Sequence, residues 1–266
     1  MIARAYFLSA LILLSAPLPA LAAAAGDTLV VVEVRGAALQ PGQEVDGAQK
    51  MTLLDGQLVT LLSQTGQMIK LRGPMDGPPL AGASAEGPTT MAALEALVTQ
   101  KLTRVEKAGV VRAGPGQVVP PDPWLIDVSR SGSRCLPQGA AIMLWRPSAV
   151  TAEPLIISPG DCSWRAQVQL AAGEDRAPLP RAVPVRARAT YAATLGGKAA
   201  TLTLHSIPPA ITTGAMRAAW MSEMGCDGQA LALMKTLDKN GAEKSRPEKK
   251  SDDQKSDGKK GGKHGG

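Results

Sequence analysis

The chain has 266 residues, 44% hydrophobic but only 3% aromatic, with a formal net charge of +6. That charge is dispersed: +1 falls in residues 1–22, +3 in residues 238–266 with their nine cations and six anions, and +2 in all the rest. A body so nearly neutral lacks the basic stripe with interleaved aromatics that marks a nucleic-acid binder, and that class is excluded.

Residues 1–22, MIARAYFLSALILLSAPLPALA, join Arg4 to an apolar run over 5–14 and end in the small-residue pattern Ala20-Leu21-Ala22. This is the layout of a Sec-type signal peptide, with cleavage expected near Ala22. The apolar run falls short of the about twenty residues that cross a bilayer, so no transmembrane insertion is expected. An exported, periplasmic protein is the expectation. Tyr6 and the single Phe, Phe7, leave with the leader. The remaining aromatics, Trp124, Trp145, Trp164, Tyr191 and Trp220, all lie between positions 124 and 220. The four tryptophans are expected to share one core.

Residues 27–75 predict a small antiparallel β module. TLVVVEV forms a strand over 28–34, and MTLLDGQLVTLLSQTGQMIKLRGP gives strands over 51–54, 58–62 and 67–72. Asp55-Gly56 and residues 63–66 make the turns, each closed by a glycine that takes a left-handed backbone angle at little cost. About fifty residues without aromatics imply a thin core. Residues 76–123 read as a linker, GPPLAGASAEGP being its loosest part. It contains one helix over 91–107, capped by Thr90, with Leu94, Leu97, Val98, Leu102 and Val105 on one face.

Residues 124–237 predict an antiparallel β sandwich closed by a helical hairpin. WLIDV (124–128), AIMLW (141–145) and LII (155–157) are strand-like, and residues 164–170, 183–191 and 200–205 alternate apolar with polar, as half-buried strands do. In the hairpin, Met216, Ala219, Trp220 and Met224 share a face, Gly225 ends the first helix, and Asp227 caps the second. Residues 238–266 have almost no apolar side chain and predict a disordered, charged tail. Its mixed charges offer at most a weak electrostatic contact with an anionic surface. The fold class is mainly β with minor α.

Three cysteines in an exported chain allow one bridge. Cys135 and Cys162 both sit beside turn residues in the same β region and are the expected pair, leaving Cys226 as a buried thiol at the helix bend. Met221, Met224 and Cys226 form the alternative: thioether and thiolate ligands select Cu(I), although an i, i+3 methionine pair is equally natural as core packing. Catalytic groupings are scarce. His205 lies on the threonine face of its strand and is expected to meet solvent. Gly196-Gly197-Lys198 reads as a hairpin turn and not as a phosphate loop, and no G-x-S-x-G elbow occurs. A carboxylate pair of the glycosidase kind meets in space and not in sequence, so a hydrolase remains the other alternative. No catalytic residue and no cofactor is assigned. The expected function is a non-enzymatic binding or scaffold protein whose partner is an envelope protein or cell-wall component.

The run GAALQPGQEVDGAQKMTLLDGQLVTLLSQTGQMIKLRGP, about residues 36–74, resembles the FecR-type periplasmic β domain, in which a "G…L…G" opening precedes short strands around a "DG" turn. The ending WMSEMGCDGQALALMKTL, with LHSIPP before it, is similar to endings of alphaproteobacterial secreted proteins of unknown function. Signal-transducing FecR members carry a cytoplasmic anti-sigma segment before a membrane span, and neither is read here, so that activity is not expected. What the resemblance implies is a periplasmic β module that contacts other envelope components.

Overall fold

The local turn chemistry of the first module holds in three dimensions. A computed structural model describes residues 27–81, 90–107 and 119–244; the expected leader lies outside the described residues. Strands β1 (Thr28–Arg35), β2 (Glu44–Asp46), β3 (Met51–Leu53), β4 (Leu58–Leu62), β5 (Met68–Arg72) and β6 (Met75–Gly77) come first. They form a four-stranded antiparallel sheet, ordered β2-β1-β4-β5, and a two-stranded ribbon of β3 with β6. Gly56 and Gly66 take the left-handed angles their turns require.

The near-continuous apolar runs in β1 and β4 signal burial on both faces rather than one. Leu29, Val31, Val59, Leu61, Ile69 and Leu71 fill one side. Val30, Val32, Leu62 and Met68 face the other way, into a core shared with the helices. The module is therefore thin on its own side and completed from outside.

Helix α1 (Met91–Lys107) has the predicted bounds. It does more than link: Leu94, Val98 and Leu102 enter the shared core, and the helix packs chiefly on the last helix of the chain.

The second β region comprises β7 (Leu125–Asp127), β8 (Gly132–Pro137), β9 (Met143–Trp145), β10 (Glu153–Pro159), β11 (Ala166–Leu170), β12 (Arg176–Pro178), β13 (Thr190–Leu195) and β14 (Lys198–Ile207). A five-stranded sheet ordered β11-β10-β13-β14-β8 and a three-stranded sheet ordered β12-β9-β7 enclose Leu144, Leu155, Ile157, Leu170, Ala193 and Leu202. The pairings β8–β14 and β7–β9 are parallel, so the sandwich is mixed and not purely antiparallel. β13 and β14 meet across Gly196-Gly197, both at positive φ (53° and 80°), the hairpin turn expected from the sequence. The strand expected over 183–191 forms only from Thr190. Pro184 has no N–H for a ladder, and the segment is instead pinned by Tyr191, whose hydroxyl accepts from the Arg186 amide at 2.6 Å.

Helices α2 (Gly214–Glu223) and α3 (Asp227–Lys244) form the hairpin. Thr213 caps α2, its hydroxyl accepting from the Met216 amide at 3.1 Å while donating to the Gln64 carbonyl at 3.0 Å. One side chain thus starts a helix and ties it to the β4–β5 turn. α3 continues to Lys244, seven residues into the segment read as tail; residues 245–266 lie outside the described residues.

The tryptophans do not share one core. Trp124 and Trp220 join the helical core. Trp164 packs on the sandwich, 5.8 Å from Tyr191. Trp145, 4% exposed, donates its indole N–H to Asp175 at 3.2 Å.

Candidate functional site

The cysteines settle the first question. Cys135 is bonded to Cys226, 91 residues away, and Cys162 is free and exposed. The expected Cys135–Cys162 bridge is therefore corrected. Cys135 lies on the face of β8 that the helices cover, whereas Cys162 sits in the β10–β11 connection at a left-handed φ of 54°, directed to solvent. The bridge points to an oxidising, extracytoplasmic environment.

The same bond decides how the sulfur cluster is arranged. The Cys226 sulfur is committed to Cys135, Met221 is fully buried, and Met224 packs against the core with Met216 and Met234. The three candidate copper ligands are dispersed into packing and bonding and do not converge on a hollow. Among the described residues no group of three or more His, Cys, Asp or Glu side chains comes together.

Three polar clusters are assembled by tertiary structure, and each has a structural duty. Lys101 of α1 donates to the Ser222 hydroxyl at 3.1 Å, and that hydroxyl donates to Asp227 at 3.1 Å. A hydroxyl between an amine and a carboxylate has the outline of a nucleophile. However, Ser222 is buried, and the neighbouring amides of Met224, Gly225 and Cys226 already donate to carbonyls of Trp220, Ser222 and Met221. Those three amides are not available to an oxyanion. Burial raises the Asp227 pKa against the opposing pull of Lys101 and Ser222. The cluster ties α1 to the bend of the hairpin.

Gln229 of α3 reaches from the helical layer into the sandwich. Its carbonyl accepts from the Cys135 amide at 2.7 Å, and its amide donates to the carbonyls of Pro123 at 2.7 Å and Cys135 at 2.9 Å. Arg146, 1% exposed, donates to Glu153 at 3.2 Å and to the carbonyls of Ala171 and Glu174, fastening the β11–β12 turn. The sequence offered no sign of these roles, because the partners lie far apart along the chain.

His205 does not face open water as expected. It is half-buried, edge-on to Trp220 with ring centroids 6.5 Å apart. Burial, and secondarily the charge of Arg188, lower its pKa.

What the fold does present outward is a sheet face. The pairings Ile156↔Gln167, Ile156↔Thr194 and Thr194↔Ala199 form one row of the five-stranded sheet. Ser158↔Ala192 and Ala192↔Thr201 form a second, and Thr190↔Thr203 and Thr203↔Ser133 a third. None of these side chains is charged, nor are the outward Pro154 and Gln169. At the far end the same face is covered by the helices over Cys135 and Ile207. The rest stands at the surface, with Gln167, Gln169, Thr190, Ala192 and Thr201 exposed. A solvated sheet face ordinarily carries charge; hydroxyls and amides shed water at far smaller cost than charges do, provided each finds a hydrogen bond in the partner. Hydroxyls and amides supply the hydrogen-bonding groups.

No protein-family model and no curated protein matches the chain. No helix among the described residues is long and apolar enough to cross a membrane.

Proposed function

We propose that the protein is an exported, non-enzymatic binding or scaffold protein of the cell envelope, acting from the periplasm after cleavage of a signal peptide near Ala22. The observation that carries this reading is the uncharged outer face of the five-stranded sheet, with a sandwich core beneath it. The Cys135–Cys226 bridge suits the compartment, as does the FecR-type likeness of residues 36–74. The partner is an envelope protein or cell-wall component that buries hydroxyl, amide and small aliphatic groups against this face.

Affinity capture from envelope extracts tests it. The native chain should retain a discrete partner, and a chain with Ala192→Lys and Thr201→Lys, both at exposed positions, should lose it while melting at the same temperature. A preparation that holds no partner but turns over a substrate overturns the reading. Export is tested separately: the chain recovered from the envelope fraction should begin just after Ala22.

A further inference from the structure

An exposed strand edge is a ready template for another strand, and folded proteins guard it with charge, proline or a covering segment. Most edges here are guarded. β5 carries Lys70 and Arg72, β2 Glu44 and Asp46, β12 Arg176 and Pro178, β7 Asp127 and β6 Asp76. β8 has Arg134 and Pro137, and Gln229 bonds its backbone at Cys135. β3 has neither charge nor proline but is only three residues long. β11, AQVQL, is five residues long and has no charge and no proline, and no strand among the described residues pairs with its outer edge.

Its backbone polarity can be read from the neighbouring ladder. The Gly160 amide donates to the Thr190 carbonyl at 3.3 Å, so even-numbered residues of β10 turn their polar groups toward β13 and odd-numbered ones toward β11. The register Leu155↔Val168 then occupies Ala166, Val168 and Leu170. The N–H and C=O of Gln167 and Gln169 are left on the outer edge, where no described residue bonds them.

We propose that β11 is a self-association strand. It pairs antiparallel with β11 of a second copy about a two-fold axis at Val168, joining two five-stranded sheets into one. The strand is complementary to itself in this register. Gln167 meets the partner's Gln169, so the free amides and carbonyls of both close four backbone hydrogen bonds, and the two side-chain amides face each other on the solvent side. On the core side Ala166 meets the partner's Leu170, small against large. A two-fold axis sets a residue close to its own counterpart, so a charged strand would repel itself; this one carries no charge. The pairing does not depend on what the uncharged face binds, and it would double that face.

One short strand per partner buries less than the roughly 1,200 Å² typical of stable complexes, so the dimer belongs to the weak class. Sedimentation velocity on the full chain, expressed with its own leader, should show reversible dimer from about 1 µM to about 1 mM, the affinity range of such interfaces. Q167K/Q169K places like charges opposite each other across the axis and should lower the association constant at least about tenfold. Q167K/Q169E makes the same positions complementary and should restore it. Both positions are exposed, so unchanged melting confirms folding. A native chain that stays monomeric throughout, or a dimer indifferent to Q167K/Q169K, overturns the proposal.

Discussion

Cys226 shows how much of this molecule depends on single side chains reaching across it. The loop it closes with Cys135 spans 91 residues, and on the chain-entropy view Cys226→Ser should cost about 4 kcal/mol. The measurable outcome is a fall in the urea midpoint, while Cys162→Ser leaves it in place. Thiol titration of the unreduced, denatured chain should find one free cysteine. Gln229 is a second such residue. Gln229→Leu leaves the Cys135 amide and the Pro123 and Cys135 carbonyls without their partner, for a loss of about 3 kcal/mol. His205 gives a pH dependence. Its pKa is lowered in the folded chain by burial and by Arg188, so the neutral form is favoured on folding. Its contribution is complete above about pH 6.5 and is lost as pH falls from there through the lowered value. Denaturation midpoints between pH 7.5 and 5 should decline less steeply in His205→Gln than in the native chain.

Elements were legible where their signals were local. The helix over 91–107 follows from Thr90, whose hydroxyl accepts from the Ala93 amide at 3.2 Å, and from the spacing of Leu94, Val98 and Leu102. The same spacing does not say how deeply each residue sinks. Leu97 was placed on that face too, yet is 36% exposed, against 5% for Leu94. Leu94→Ala should therefore destabilise by about 2 to 4 kcal/mol, and Leu97→Ala by less than about 0.5 kcal/mol, both read by chemical denaturation. β8 was missed for the opposite reason. GSRCLP has no alternation, and it is a strand because β14 lies parallel beside it. The alternation of 183–189 misled because a ladder also needs a run of N–H donors along an adjacent strand, and this segment has a proline and bonds β14 only at its end, through Arg188 and Ala189 to Leu204.

At the scale of the whole molecule, the helical layer makes the two β regions interdependent. Val30, Val32, Leu62 and Met68 of the first sheet and Cys135 and Ile207 of the second meet the same helices. Gly66 marks how tightly they join: at φ 87°, an added Cβ would lie 2.9 Å from the Ala215 carbonyl oxygen. Thermal unfolding should accordingly be one cooperative transition by calorimetry, and residues 27–81 expressed alone should lack protected amides in hydrogen exchange. Two separate transitions would show that the shared core carries little energy.

The sequence by itself determined the mainly β class, the glycine turns of the first module, the Gly196-Gly197 hairpin and the two-helix ending, because each is set by groups within a few residues of one another. Only the tertiary structure decided which cysteine Cys135 meets, that His205 lies against Trp220, and that β11 stands unguarded at the end of its sheet. Those outcomes depend on which distant segments become neighbours, and no local pattern encodes that.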